Sequence, residues 1–253
     1  MILEDFSLTG QTAVITGGNR GLGQAIACAL AEAGADIVSV QSSVDCAETR
    51  ARLTALGRRC VGVKCDLAGL QDATSLVRDI EEMVGPVSIL VNNAGIQRRH
   101  KAEEFPLAEW DLMMQIQLRS VFLLSQGFGR RMLERSYGKI INIASLVSFS
   151  GGLWVTAYAA AKGGIAQLTK ALSNEWAARG INVNAIAPGY MSTEMNKALI
   201  SDPVRSAQIM ERIPAMRWGK PEDLGGMAVF LASRASSYVH GAVYNVDGGW
   251  MAR

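Results

Sequence analysis

Seven short runs rich in β-branched residues punctuate the chain: "TAVIT" (12–16), "DIVSV" (36–40), "CVGVK" (60–64), "VSILV" (87–91), "GKIINIA" (138–144), "INVNAIA" (181–187) and "AVYNV" (242–246). Longer stretches of helical period separate them. This alternation constrains the fold more than any other feature, because parallel strands need a crossover between them and a helix is the usual one. It predicts an α/β fold, a doubly wound parallel sheet of seven strands. No repeat, low-complexity tract or Gly/Ser linker divides the 253 residues, so one domain over 1–253 is expected. Residues 190–224, "YMSTEMNKALISDPVRSAQIMERIPAMRWGKPEDL", break the rhythm after the sixth strand with charges, Met and Pro. An insertion there reads as a lid over the carboxyl ends of the strands, where such sheets bind ligands.

Composition excludes several classes. Lys and Arg number 25 against 23 Asp and Glu, a formal charge of +2 that gives no footprint for nucleic acid. The opening "MILEDFSLTG" lacks the basic flank and apolar run of a signal peptide, and no apolar run reaches membrane-spanning length. Cys28, Cys46, Cys60 and Cys65 form no CxxC pair, and His100 and His240 stand alone, so no metal site is expected. Reduced cysteines in a cytoplasmic protein are the expectation.

The first strand runs into "TGGNRGLG" (16–23), and the helical stretch "QAIACALAEAG" follows. Gly17, Gly21 and Gly23 between a strand and a helix let the backbone approach a pyrophosphate, whose charge the helix N-terminus meets. The spacing is GxxxGxG, and its place on the first strand of a doubly wound sheet points to a dinucleotide rather than to a turn needed only for packing.

A second constellation lies in "SLVSFSGGLWVTAYAAAK", residues 145–162. Tyr158 and Lys162 are four residues apart on one helix and share a face. A tyrosine hydroxyl ionises near pH ~10, too high for a base at neutral pH, and a nearby ammonium favours the phenolate. Ser145, at the end of the fifth strand, can hydrogen-bond a substrate oxygen as it gains or loses its proton. Together the three form an acid/base device for a carbinol.

With "TGGNRGLG", "CDL" (Asp66), "NNAG" (92–95), Ser145, "YAAAK" (158–162) and "PGYMST" (188–193) in this order, the chain resembles the short-chain dehydrogenase/reductases from end to end. The resemblance implies a Rossmann-type domain that passes hydride between NAD or NADP and an alcohol or ketone. It assigns the cofactor to Gly17, Asn19, Arg20, Gly21, Leu22, Gly23, Gln41, Asp66, Leu67, Asn93, Ala94, Gly95, Tyr158, Lys162, Pro188, Gly189, Met191 and Thr193, with Lys162 also on the nicotinamide ribose. It also implies a homotetramer, with helices at 108–134 and 157–178 in one interface. Members usually place an asparagine three residues before a small residue in the helix after the fourth strand, supporting a water chain to the catalytic lysine. Aligned on Ser120, that place holds Gln117, which keeps the amide and adds a methylene. A nucleotide-binding regulator that kept the fold and lost the chemistry is the alternative class; the intact Ser145, Tyr158 and Lys162 argue against it.

NAD-preferring members usually carry an acid at the end of the second strand; here the position is Gln41. Ser42 and Ser43 leave room for a 2′-phosphate and Arg20 can pair with one, yet Ser42 occupies a place where NADP-preferring members often have Arg or Lys. The choice between NAD and NADP stays open. "NNAGIQRR", "RIPAMRWGKPEDL" and "VDGGWMAR" are similar to bacterial sugar-acid dehydrogenases of the 2-deoxy-D-gluconate 3-dehydrogenase and gluconate 5-dehydrogenase groups. A small sugar acid is therefore the expected partner, with a reductase of another small ketone as the alternative. Arg98 and Arg99 after the fourth strand and Arg217 in the lid are cations that could meet its carboxylate, and Trp154 and Trp218 could wall a polyol pocket.

Overall fold

A computed structural model describes residues 1–43 and 45–253. The strands β1 (Thr12–Thr16), β2 (Asp36–Gln41), β3 (Cys60–Lys64), β4 (Ile89–Asn92), β5 (Gly138–Ile143), β6 (Ile181–Pro188) and β7 (Val243–Val246) form one sheet in the order β3-β2-β1-β4-β5-β6-β7. Every neighbouring pair is parallel. The crossovers are α1 (Gly21–Glu32), α2 (Ala47–Ala55), α3 (Thr74–Val84), α4 (Leu107–Met114) with α5 (Ser120–Arg135), α6 (Thr156–Trp176) and, after the lid, α9 (Gly225–Ala232).

Both faces of the sheet are covered, which is why its strands read as continuous apolar runs. Successive side chains alternate between faces. Ala13, Ile15, Ile89, Val91 and Ile141 join one core with Ile26, Leu30 and Leu231 of α1 and α9. Val14, Leu90 and Ile140 join the opposite core with Val77, Leu124 and Phe128 of α3 and α5. The strand order reverses between β1 and β4, and the crevice at their carboxyl ends is the binding position in such sheets.

The helix expected over 108–134 is interrupted. Gln115–Arg119 form a π turn between α4 and α5. Ser120 Oγ donates to the Ile116 carbonyl at 2.6 Å, a back-bond that bends helices, and Gln115 Nε2 leaves the helix surface to donate to the Leu67 and Leu70 carbonyls at 3.1 and 2.8 Å. The hydrophobic period continues through the break, so the pattern does not reveal it. π turns recur at functional positions, and this one carries Gln117.

The lid contains α7 (Lys197–Ser201) and α8 (Pro203–Arg212). Asp202 caps α8, accepting from the N–H groups of Val204 and Arg205 at 3.0 Å each, with Pro203 in the first helical turn. The two ends of the lid are pinned to each other just beyond β6. Gly219 N–H donates to the Tyr190 carbonyl at 2.9 Å and Ser192 N–H to the Gly219 carbonyl at 2.7 Å. Trp218 Nε1 donates to Ser206 Oγ at 3.0 Å, and the Trp218 ring packs edge-on to Tyr190.

At the opposite, amino end of the sheet, Lys139 on β5 is buried with a single long bond to Ser236 Oγ at 3.3 Å. Burial lowers its pKa to about 8. Below that pH the folded chain carries a desolvation cost on the order of 3 kcal/mol for a shift from 10.5, and the cost is relieved as pH rises from about 8 to 10.5. Lys139→Met should therefore raise stability at pH 7 by about 1–3 kcal/mol in urea unfolding. The gap from the unsubstituted protein should close towards pH 10; a less stable variant at pH 7 would show that Lys139 is held favourably.

Candidate active site

The glycine loop and the end of β4 form one cradle. Thr16 Oγ1 accepts from the N–H groups of Asn93 and Ala94 at 2.9 Å each, and Asn93 Nδ2 donates to the Thr16 carbonyl at 2.9 Å. Gly17 stands at φ 68°, where a side chain would be strained, and a Cβ on Gly23 would collide with the Gly17 carbonyl. The backbone is therefore compressed around a surface open for a phosphate. No described side chain caps α1, whose first N–H groups face the same crevice from Arg20 and Gly21 onward, with Leu22 packed against the core. Asn19 reaches the Asp45 carbonyl at 3.5 Å, and its own carbonyl accepts from Gln24 Nε2.

Gln41, Asp66 and Leu67, expected on the adenosine side, follow at the carboxyl ends of β2 and β3. Gln41 is buried, its Oε1 accepting from Ser39 Oγ and its Nε2 without a partner among the described residues. A buried amide donor at the end of β2 suits a ribose oxygen or a phosphate. Asp66 Oδ1 accepts from Ala68 N–H at 3.0 Å and so shapes the turn after β3. On the nicotinamide side Pro188 ends β6, Gly189 N–H donates to the Val246 carbonyl at 3.0 Å, Met191 is buried beside Gly219, and Thr193 starts a short helical turn. All these residues lie at one end of the sheet. Their polar groups and close backbone approaches fit a dinucleotide, which would supply or accept the hydride when bound.

Ser145 lies two residues past the end of β5 and opens a short helical turn. Its N–H is held by Ser148 Oγ at 3.3 Å, and Ser148 Oγ in turn donates to the Lys162 carbonyl at 2.7 Å. Ser148, which the sequence reading passed over, thus joins the serine to the tyrosine helix; the S-x-x-S spacing is its signal. The Tyr158 hydroxyl lies beside the Ser145 side chain. Burial among protein atoms pushes the phenol up, and the Ser145 hydroxyl and the Arg99 charge offset part of that rise.

Lys162 shares a face with Tyr158, as its spacing predicts. Its Nζ stands 5.7 Å from the centre of the Tyr158 ring and donates to the Ile143 carbonyl at 2.6 Å. Burial lowers its pKa to about 8. Arg99, in the loop after β4, is a second cation whose charge lowers the phenol's pKa. Beneath the trio Asn92 Nδ2 donates to Asn142 Oδ1 at 2.9 Å, and Asn142 Nδ2 to Thr169 Oγ1 at 2.9 Å, bracing β4, β5 and α6. Gln117 is buried, and neither of its amide atoms has a partner among the described residues; a Cβ on Gly95 would come within 2.9 Å of its Oε1.

The arginines at the mouth divide. Arg217 is bound to Asp223 through both terminal nitrogens, one at 3.1 Å, and Arg98 Nε lies 3.7 Å from Glu109. Among the described residues Arg99 makes no ion pair, and it is the one whose charge reaches Tyr158. Trp154 is half-exposed in the loop between β5 and α6, at φ 64°, a backbone region that bulky residues rarely enter. A cavity of about 260 Å³ lies between the lid and the ends of β6 and β7, with Tyr190, Met191, Arg217 and Asp247 in its wall.

A sheet of this order, a glycine cradle at its switch point and a Ser-Tyr-Lys trio at the same end define a nucleotide-dependent oxidoreductase. A family model described as enoyl-(acyl carrier protein) reductase matches residues 17–251. A 2-dehydro-3-deoxy-D-gluconate 5-dehydrogenase of Dickeya dadantii is 50% identical over 254 residues, covering all of both chains. A structure from Agrobacterium tumefaciens described as a candidate 2-deoxy-D-gluconate 3-dehydrogenase with bound NADP superposes with a TM-score of 0.93 at 49% identity, covering 98% of this chain and 99% of that one. A gluconate 5-dehydrogenase from Burkholderia cenocepacia in complex with NADP and tartrate gives 0.96 at 40% identity over both whole chains. The chain belongs to the short-chain dehydrogenase/reductase family, which uses NAD or NADP.

Proposed function

We propose that the protein is an NAD(P)-dependent dehydrogenase of a six-carbon sugar acid, acting on the hydroxyl or ketone at carbon 5 of a 2-dehydro-3-deoxy-D-gluconate-type substrate. The observation that carries this reading is the Arg99 guanidinium, free of ion pairs among the described residues and close enough to act on Tyr158. A carboxylate a few carbons from the reacting carbon meets a cation there. The Dickeya and Burkholderia relatives are both named for position 5 and the Agrobacterium structure for position 3, and that two of these three are named for position 5 supports this reading. Position is tested by incubating the protein with each sugar acid and reading the product's carbonyl by NMR: a carbon-5 ketone is expected, and a carbon-3 ketone would overturn the assignment.

In this reading the substrate oxygen lies between Ser145 and Tyr158. Ser145 donates to it, and Tyr158 gives up or takes the proton. Held protonated at neutral pH by burial, Tyr158 is armed as the acid for carbonyl reduction; oxidation draws on its ionised form. Lys162 holds the tyrosine helix against β5 and offers its ammonium to the ribose of the nicotinamide. Gln117, with two free amide atoms behind Gly95, is the group placed to hold a water relay. Trp154 walls the substrate side, while Arg98 and Arg217 shape the mouth through their acids. The whole chain acts as one nucleotide-binding domain, with residues 190–224 as its lid.

Cofactor preference rests on Gln41. Replacing it with aspartate puts a repelling charge on a 2′-phosphate and an acceptor on a ribose diol. Gln41→Asp should shift the ratio of kcat/KM for NAD over NADP towards NAD by tenfold or more, about 1.4 kcal/mol. An unchanged ratio would place the ribose elsewhere.

The chain is expected to work in the cytoplasm as a homotetramer. Among the described residues no helix is long and apolar enough to cross a membrane. An open groove of about 610 Å³ along α4, the π turn, α5 and α6, with Leu118, Arg119, half-exposed Phe122 and Leu168 in it, is the face a second copy would cover.

A further inference from the structure

Arg98, Arg99 and His100 follow one another in a stretch, residues 93–101, that contains no turn or helix. Arg98 Nε and His100 Nε2 lie 3.7 and 2.8 Å from the same atom, Glu109 Oε2 on α4. Both neighbours of Arg99 are thereby tied to one carboxylate, while Arg99 itself makes no ion pair among the described residues. His100 is fixed twice more: its N–H donates to the Trp154 carbonyl at 3.2 Å, and its ring packs edge-on to Phe105 at 5.0 Å. Through that N–H the loop after β4 grips the strained residue that stands four positions before Tyr158.

We infer that Glu109 is a positioning residue for substrate recognition: by holding Arg98 and His100 together it turns Arg99 towards the reacting oxygen and the substrate's carboxylate. Glu109 also occupies Arg98, so that Arg99 alone is left for a single carboxylate. On its helix Glu109 reads as an ordinary solvated acid, and only the meeting of three side chains marks it. The inference rests on the carboxylate role given to Arg99.

The test compares kcat and KM for a sugar acid and for its uncharged lactone or polyol counterpart in Glu109→Ala, Glu109→Gln, Arg99→Ala and the Glu109→Ala/Arg99→Ala double variant, with thermal melting and NADPH affinity as checks of folding. Glu109→Ala should raise KM for the acid about tenfold more than for the neutral compound, within the ~100-fold that an ångström of misplacement can cost. Glu109→Gln keeps an acceptor oxygen and should fall between the two; should the alanine variant not fold, the glutamine variant must still show a rise confined to the acid. In the Arg99→Ala background Glu109→Ala should add nothing. Equal rises for both substrates, or a full additive effect in the double variant, would overturn the positioning role while leaving Arg99 in place. If Arg99→Ala itself spares the discrimination, the carboxylate reading fails first and the inference falls with it.

Discussion

Tyr158→Phe should lower turnover by at least ~100-fold, the lower end of what general acid/base catalysis contributes, with NADPH affinity within a few-fold of the unsubstituted protein. The substitution keeps the ring and removes only the hydroxyl beside Ser145. The partners that hold the ring in place are untouched: Lys162 stays on the Ile143 carbonyl and Ser148 on the Lys162 carbonyl. A loss confined to kcat would mark the phenol as the proton carrier. Near-normal turnover would mean that another group moves the proton. The measurement is steady-state kinetics in both directions, beside fluorescence titration of NADPH.

Arg99→Ala should raise KM for a sugar acid by about 10- to 150-fold relative to its lactone or polyol counterpart, the equivalent of roughly 1.5–3 kcal/mol for a charge-assisted hydrogen bond. Arg98→Ala and Arg217→Ala should change that ratio much less, because their guanidinium groups are already engaged by Glu109 and Asp223. The three variants together therefore identify which arginine meets the carboxylate. If all three leave the ratio unchanged, the substrate is a neutral sugar or another small ketone.

The sheet was legible because burial on both faces of its central strands leaves short runs rich in β-branched and apolar residues, and each of the seven runs became a strand within two residues of its expected ends. The glycine loop and the serine, tyrosine and lysine were legible because their chemistry needs those residue types at fixed spacing. The π turn at Gln115–Arg119 was not, since the apolar period runs through it and the cause is a side-chain bond from Ser120. Nor could sequence divide Arg98 from Arg99. They are adjacent and identical, and an acid on α4 separates them. The second bond of Lys162 was hidden for a similar reason: four-residue spacing puts it on the face of Tyr158, over whose ring its Nζ lies, but not on the Ile143 carbonyl of β5 to which that Nζ donates. The alternative of a regulator without chemistry does not hold for a chain of this family with that trio assembled.

The most direct test is the unsubstituted protein's kcat/KM for 2-dehydro-3-deoxy-D-gluconate and for 5-keto-D-gluconate, measured beside uncharged ketoses of the same length with NAD(H) and NADP(H) in parallel. The account predicts turnover of at least one acid, exceeding that of its uncharged counterpart by tenfold or more, the smallest effect expected of one charge-assisted bond. Equal or better turnover of the uncharged ketose, or no turnover of any acid by protein that binds NADPH, would contradict it.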